Sequence, residues 1–316
     1  MLTWMKKITF IICFIASLAA PVKKIQAQFY FLNDDYYDTE VLFEIGASIG
    51  AMNCLTDVGG TKGFGRRFAK DLNLGNTEFN GSFYIGALYR YAIGLRLEGT
   101  YGNISAHDSI LKQVTKTDIA RARYNRNFSF RSVITEVNLV AEFHPIFIFG
   151  NHEANDKTPP RYSPYLMIGV GYFSFNPQAK LGTRWVDLQP LSTEGQGFSE
   201  YPDRKVYKLS GITLPIGIGM KYEITSFINV RGEFLYRFTN TDYIDDVSHR
   251  FIDPTIFYNH HAGTRLTNAI LLHNRERGEI PNQTLPGKKR GSPAEKDGFF
   301  TLNIKLGLNI GRQRIK

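Results

Sequence analysis

Hydrophobic and polar residues alternate with a period of two in several stretches of this chain. In the stretch 227–248, the even-numbered residues from Ile228 to Phe238 form an apolar and aromatic face, while the interleaved face carries Arg231, Glu233 and Arg237. A period of two indicates an extended strand whose side chains alternate between two environments. A soluble strand with its charged face in water shows the same pattern, so this stretch alone leaves a soluble and a membrane barrel open.

The alternation recurs along the whole chain and predicts eight strands. They lie near 41–53, 81–89, 93–102, 131–143, 165–175, 208–222, 227–239 and 300–310. The connections between them are alternately long and short, and the fifth (177–205) and seventh (245–297) are predicted to be long loops. Outer-membrane barrels have an even number of strands, short periplasmic turns and longer external loops. The pattern predicts an all-β fold, an eight-stranded antiparallel transmembrane up-and-down β-barrel with both termini in the periplasm. A soluble lipocalin-like barrel is the alternative.

The N-terminus has the layout of a secretory signal peptide. Lys6 and Lys7 precede an apolar run, 8–20, that is too short to span a membrane as a helix, and Ala27 ends a plausible cleavage triplet. We therefore expect a signal peptide at 1–27 and a single outer-membrane barrel domain at 28–316. Residues 1–27 hold four Lys and no acid, so their removal lowers the formal net charge from +9 to +5. Without a basic stripe on a helix, this modest charge argues against nucleic-acid binding.

The face opposite the lipid carries a nearly balanced set of charges. An eight-stranded barrel is just wide enough for side chains to fill it, and an unpaired charge in such an interior is costly. We therefore predict a plugged interior with paired charges, which argues against a diffusion porin. The predicted lumen charges are five acids and six bases: Glu44, Glu98, Glu136, Glu142, Glu233, Arg90, Arg96, Lys221, Arg231, Arg237 and Lys305.

Acidic and histidine residues near the last long loop raise an enzymatic alternative. A rim-located lipid A or peptide hydrolase would need paired Asp and His groups as acid and base. The chain offers Asp242, Asp245, Asp246, His249, His260 and His261. Their spacing matches no nucleophile motif, and an exposed loop is polar in any case. The sequence therefore predicts a protein that is not an enzyme and has no cofactor or metal.

Several segments resemble the PorG-like outer-membrane barrels of Bacteroidota, a component family of the type IX secretion system. The resemblance is carried by residues 44–46, 66–73, 89–91 and 134–136, by the segment 241–248 (TDYIDDVS), and by Arg290-Gly291 ahead of Asp297. It implies a non-enzymatic barrel that anchors or helps assemble a secretion apparatus. The implied partners are a periplasmic ring-forming lipoprotein and that lipoprotein's own partner, besides the lipids and lipopolysaccharide of the outer membrane.

A periplasmic contact would use the N-terminal lead, 29–37, and the second periplasmic turn, 150–160, which is the only turn of useful length. Aromatic residues are enriched at interface hot spots, although the same side chains would also suit a membrane-interface girdle. The candidate contact residues are Phe29, Tyr30, Phe31, Tyr36, Tyr37, His152 and Glu153. A small envelope-stability or adhesion barrel without any link to secretion is the alternative function.

Overall fold

The computed structural model describes residues 41–60, 74–115, 118, 120–149 and 160–310. Within these ranges the chain forms four short α-helices, namely α1 (Ala120–Arg126), α2 (Pro145–Phe149), α3 (Phe257–His260) and α4 (Gly263–His273). It also forms ten strands: β1 (Val41–Leu55), β2 (Glu78–Tyr89), β3 (Ile93–His107), β4 (Ser129–Phe143), β5 (Tyr162–Ser174), β6 (Pro177–Leu181), β7 (Arg184–Asp187), β8 (Ser210–Glu223), β9 (Ile228–Thr239) and β10 (Gly298–Ile310).

Eight of these strands close into an antiparallel up-and-down barrel. Each pairs with its neighbour in the order β1-β2-β3-β4-β5-β8-β9-β10, and β10 returns to β1. The register places Ile45 opposite Ile85 on β2 and Leu308 on β10. Because the sheet is closed, the eight barrel strands leave no free edge. The predicted eight-stranded barrel is confirmed.

Strands β6 and β7 form a hairpin outside the barrel, where the sequence predicts only a loop. The hairpin pairs with the beginning of β4, where Arg131 lies opposite Gln178. The Arg131 guanidinium also lies 3.9 Å from the centroid of the Trp185 ring. The two strands have five and four residues, so neither is long enough to give a readable alternation.

The outward face of the barrel is apolar and exposed. On β8 the outward residues from Ile212 to Met220 are 41–59% exposed, whereas the inward Thr213 and Lys221 are nearly inaccessible. An apolar band around a closed sheet is the surface that a transmembrane barrel presents to lipid, and the fold is that of outer-membrane β-barrels. Among the described residues, none of the helices is both long and apolar enough to cross a membrane.

The two faces of β3 exchange polarity near Tyr101. From Ile93 to Tyr101 the outward residues are mainly apolar, while Arg96 and Glu98 point inward. Beyond Tyr101 the outward positions are the polar residues 103, 105 and 107, and the inward ones are Ile104 and Ala106. A transmembrane strand needs only about 9–11 residues. The rest of this 15-residue strand therefore projects beyond the lipid band, and we call that end of the barrel the cap end.

Candidate functional site

Arg96 lies at the centre of a charged network inside the barrel. Its Nη1 is 2.6 Å from Glu142 Oε1 and donates a 2.6 Å hydrogen bond to Glu233 Oε1, while its Nε is 3.1 Å from Glu98 Oε2. All four side chains are almost completely buried. One guanidinium with several donors therefore joins three carboxylates that come from three different strands.

Arg231 extends the network toward the end of the barrel where β1 begins and β10 ends, which we call the terminal end. It donates to Glu142 Oε2 at 2.8 Å and to Glu44 Oε2 at 2.5 Å. Glu44 also accepts a hydrogen bond from Lys221 at 3.2 Å and one from the Tyr84 hydroxyl at 2.6 Å. The buried Glu44 carboxylate thus accepts hydrogen bonds from three donors, and these offset its loss of hydration.

Lys305 on β10 joins the other side of the network. Its Nζ forms an ion pair with Glu98 and lies 3.1 Å from Glu233 Oε2. Arg96, Arg231, Lys221 and Lys305 with Glu44, Glu98, Glu142 and Glu233 are called the central network below. It consists of four bases and four acids in continuous contact.

A second, separate pair lies nearer the cap end. Arg237 Nε donates to Glu136 Oε2 at 3.1 Å, and Arg237 Nη1 donates to Thr301 Oγ1 at 2.5 Å. Glu136 also accepts a 2.9 Å hydrogen bond from Thr213. Each of these side chains lies on the inward face of its strand, so the alternation brings them together.

Arg90 is placed differently from the prediction that it points into the lumen. Arg90 and Tyr91 take positive φ angles of 47° and 58° in the tight turn after β2, and the Ala92 N–H closes the turn on the Tyr89 carbonyl at 3.0 Å. The turn ends the alternation, so the Arg90 side chain is exposed, with its guanidinium 5.3 Å from the Tyr89 ring centroid. Without Arg90, five acids of the predicted set meet five bases.

The candidate partner-contact residues Phe29, Tyr30, Phe31, Tyr36, Tyr37, His152 and Glu153 lie outside the described residues. The same holds for the proposed signal peptide and for segment 66–73. These interpretations remain predictions.

The loops of the cap end pack together over the barrel mouth. Their apolar side chains continue the inward face of the strands, where the rings of Phe173 on β5 and Phe299 on β10 are in tilted contact with centroids 5.8 Å apart. One continuous buried cluster joins strand residues with loop and helix residues, including Met52, Ile104, Phe130, Ile134, Phe173, Phe299, Phe128, Leu191, Phe251, Phe257, Ala269 and Leu272. We call this assembly, built from the described residues 56–60, 108–128, 175–209 and 240–297, the cap.

Arg126, the last residue of α1, connects three parts of the cap. Its Nε and Nη2 donate to the two carboxylate oxygens of Asp108 at 3.0 Å each. Its Nη1 donates to the Arg290 carbonyl at 2.6 Å, and its Nη2 to the Asp57 carbonyl at 2.7 Å. The planar guanidinium thus holds three loops in one relative position.

Glu194 and Arg290 form a second buried connection. Arg290 Nη1 donates to Glu194 Oε1 at 2.9 Å and to the Asp246 carbonyl at 2.7 Å, and Glu194 also accepts the N–H groups of Ser248 and His249 at 3.0 Å. Burial acts to raise the pKa of Glu194, but the Arg290 charge and these donors outweigh it, so the pKa lies below the usual value.

Four carboxylates of the cap lie close enough for their charges to interact and have little compensating charge. Asp57, Asp242, Asp245 and Asp297 interact electrostatically, and the last three are at most 4% exposed. Burial raises the pKa of Asp242 to about 7, and burial together with the neighbouring carboxylates raises the pKa values of Asp245 and Asp297 well above their usual value. Asp242 and Asp245 belong to segment 241–248, which the sequence singles out.

The histidines that the hydrolase alternative uses all have structural contacts. His260 lies 2.8 Å from Glu200 Oε2 and stacks on Phe198 with centroids 4.0 Å apart. His261 Nε2 lies 2.9 Å from the Leu191 carbonyl, and His249 Nδ1 lies 3.1 Å from the Tyr243 hydroxyl.

Asp245 and Asp246, two of the three acids of that alternative, are engaged as well. Asp246 accepts hydrogen bonds from Thr193 at 2.5 Å and from Tyr207 at 2.7 Å. In the part of the chain that the structure describes, no group of three His, Cys, Asp or Glu side chains is arranged to hold a metal ion.

Solved structures with a similar fold are small outer-membrane barrels. A major outer membrane protein from Thermus thermophilus aligns at 12% identity and TM-score 0.39, covering 86% of this chain and 100% of its own. Neisserial surface protein A aligns at 10% identity and TM-score 0.36, covering 84% and 96%. The attachment invasion locus protein of Yersinia pestis aligns at 8% identity and TM-score 0.30, covering 85% and 97%. No protein-family model and no curated protein matches the sequence.

Proposed function

We propose that the protein is a non-enzymatic outer-membrane barrel that anchors or helps assemble a protein secretion apparatus through its periplasmic side. The observation that carries this proposal is the filled interior. The central network fills the barrel within the lipid band, and the packed cap lies over one mouth. A barrel filled in this way does not suit the transport of solutes through its interior. The surfaces that remain accessible to partners are its two ends.

The residues behind the resemblance to PorG-like barrels support the secretion role. The segment 241–248, Arg290-Gly291 and Asp297 are well separated in the sequence but meet inside the cap. Asp297 accepts the Ile244 N–H at 2.9 Å, and Arg290 donates to the Asp246 carbonyl. A side chain at Gly291 would meet the Ser248 backbone nitrogen at 2.6 Å, so the close approach there requires glycine. These three parts of the resemblance therefore act as one structural unit, which a shared architecture would retain.

In this proposal the terminal end faces the periplasm and the cap faces outward. The partners are the ring-forming lipoprotein and its own partner, and the contact uses the lead 29–37 together with residues of the second turn, including His152 and Glu153. Deleting residues 29–37 should abolish secretion while the barrel still folds in the membrane. Folding is checked by heat-modifiable migration of the same variant in detergent gels.

Site-specific cross-linking in intact cells tests the orientation and the partner separately. A photo-reactive residue in place of the exposed Arg90 at the terminal end should capture a periplasmic lipoprotein. The same residue in place of the exposed Lys288 in the cap is the matched control and should not capture it. Capture from position 288 alone would contradict the proposed orientation.

An envelope or adhesion barrel is the second candidate, and the ordered cap favours it. Four loops held by buried hydrogen bonds and an apolar cluster form a fixed outward surface, which suits recognition of a partner outside the cell. Normal secretion by the chain lacking residues 29–37 would favour this candidate over the secretion anchor.

A further inference from the structure

The carboxylates of Asp57, Asp245 and Asp297 hold separate parts of the cap together. Asp245 Oδ2 accepts the N–H of Val58 at 3.0 Å, and Asp57 accepts the N–H of Ser292 at 2.6 Å. Asp297, directly before β10, accepts the N–H of Ile244 at 2.9 Å. Each of these donors is a neutral peptide group, so the contacts provide hydrogen bonds without a compensating full charge.

Asp242 adds a fourth carboxyl group with an unfilled position. It is 3% exposed, and its Oδ2 has no hydrogen-bond partner in the described part of the protein. An ionised carboxylate buried with one free oxygen is costly, whereas a neutral carboxylic acid is much less so. The geometry therefore favours a bound proton at Asp242.

The charges around the cluster do not balance four carboxylates. Arg126 interacts electrostatically with Asp57 and Asp245, but its guanidinium is already bound to Asp108. The two lysines that face the cluster, Lys289 and Lys296, lie at its edge. Glu194 adds a further negative charge. The titratable groups that face the cluster from the elements packed against it are Arg126, Lys289, Lys296, Glu194, Cys54, Tyr236 and Tyr243.

We propose that Asp57, Asp242, Asp245 and Asp297 make closure of the cap dependent on pH. With protons bound, the four groups hold the loop that follows β1 against the segment 240–297 and the start of β10. When the groups ionise, their mutual repulsion separates these segments and the cap opens above an unchanged barrel.

The direction of the effect follows from burial. Burial raises the pKa of Asp242 to about 7, and an exposed Asp in the open cap has the usual value of about 3.9. A group whose pKa is raised on closing stabilises the closed form fully below the open-state value and loses that effect as pH rises through the closed-state value. Asp242 alone would then lower the closed-to-open ratio about thirtyfold between pH 5.5 and pH 8.5.

Hydrogen–deuterium exchange of the full-length protein in detergent micelles tests this proposal. The reporters are the amide N–H groups of Val58, Ile244 and Ser292, which donate hydrogen bonds to the carboxylates. The β9 amides serve as an internal reference. After correction for the intrinsic pH dependence of exchange, protection of the three reporters should be at least about tenfold higher at pH 5.5 than at pH 8.5. The β9 amides should show no such change.

Two variants separate the proposal from a purely structural role. Asp242→Asn imitates the protonated group and should keep the reporters protected at pH 8.5, at least about tenfold above the wild type. Asp203→Asn, an exposed acid of the cap, is the matched control and should behave as the wild type does. Asp245→Asn is a second neutralising variant should Asp242→Asn not fold.

Two results would overturn the proposal. One is reporter protection that does not change with pH in the wild type. The other is reporter protection in folded Asp242→Asn that falls between pH 5.5 and pH 8.5 as far as it does in the wild type, because ionisation of Asp242 would then not contribute to opening of the cap.

Discussion

Arg96 is the residue whose removal tests the charged interior most directly. The central network has four acids and four bases, and Arg96 alone contacts Glu98, Glu142 and Glu233. Arg96→Met keeps much of the apolar stem and removes the charge, so one negative charge is left without compensation. Removing one partner of a buried ion pair typically costs about 3–5 kcal/mol. Arg231 and Lys305 still contact the three glutamates, which argues for the lower part of that range.

A double-mutant cycle shows whether charge balance is the cause. Glu233→Gln alone leaves an excess positive charge and should also destabilise the barrel, whereas the double variant restores the balance. We therefore expect the double variant to lose less than the sum of the single changes, by more than about 1 kcal/mol. The assay is reversible urea unfolding in detergent or lipid vesicles, followed by the circular dichroism of the barrel strands and by migration in gels.

The partly exposed pair Arg121–Glu279 of the cap supplies the control. Glu279→Gln should change the free energy of unfolding by no more than about 1 kcal/mol, because water screens an exposed pair. If Arg96→Met costs as little as Glu279→Gln, or if the cycle is additive, the interior is well hydrated. The reasoning from buried paired charges would then be wrong.

Three further predictions follow from the structure. Because a closed barrel resists unfolding at room temperature, boiled and unboiled samples should migrate differently in detergent gels, and identical migration with a helical circular-dichroism spectrum would contradict the barrel. Phe234→Arg or Leu302→Arg, at paired outward positions of β9 and β10, should cost about 2–4 kcal/mol near the bilayer midplane, measured by unfolding in vesicles; tolerance at both positions would mean that no bilayer surrounds them. Burial raises the pKa of Asp246 to about 6. Its contribution to cap stability is therefore complete below the usual pKa of an Asp and is lost as the pH rises through 6. Asp246→Asn should flatten that part of the pH profile of thermal unfolding.

The strands and their faces could be predicted from the sequence because alternation is a local signal. On β8 the outward and inward sets from Ile212 to Lys221 lie as the pattern predicts. The partners inside the barrel could not be predicted, because Arg96 and Glu233 are 137 positions apart and several pairings satisfy the same charges. The Arg90–Tyr91 turn has two positive φ angles, which point Arg90 outward. Such a turn is recognisable in a sequence when it contains glycine or asparagine, and this turn contains neither.

The cap was the main feature that the sequence did not predict. Its contacts join residues as far apart as Asp57 and Ser292, 235 positions away, and no periodic pattern marks them. The segment 241–248 is distinctive only by resemblance, and its acids suggest rim chemistry because loop acids are normally exposed. The structure buries Asp242, Asp245 and Asp246 instead. A run of Ile, Val and aromatic residues within the loop 240–297 was the available sign that this loop packs.

The exchange of polarity along β3 explains both why the alternation does not predict the cap and how the barrel carries it. The alternation itself continues to His107, but its phase inverts after Tyr101, so a search for apolar-out and polar-in residues ends the strand near Gly102. β10 shows the same change on its inward face, where Lys305, Asn303 and Thr301 are followed by Phe299 toward the cap. Within lipid the outward face must be apolar, and beyond lipid water reverses the requirement, so the inward face is free to become a hydrophobic core. An inverted alternation at the loop end of several strands therefore indicates a packed domain over the barrel mouth, which a barrel with solvated loops would lack.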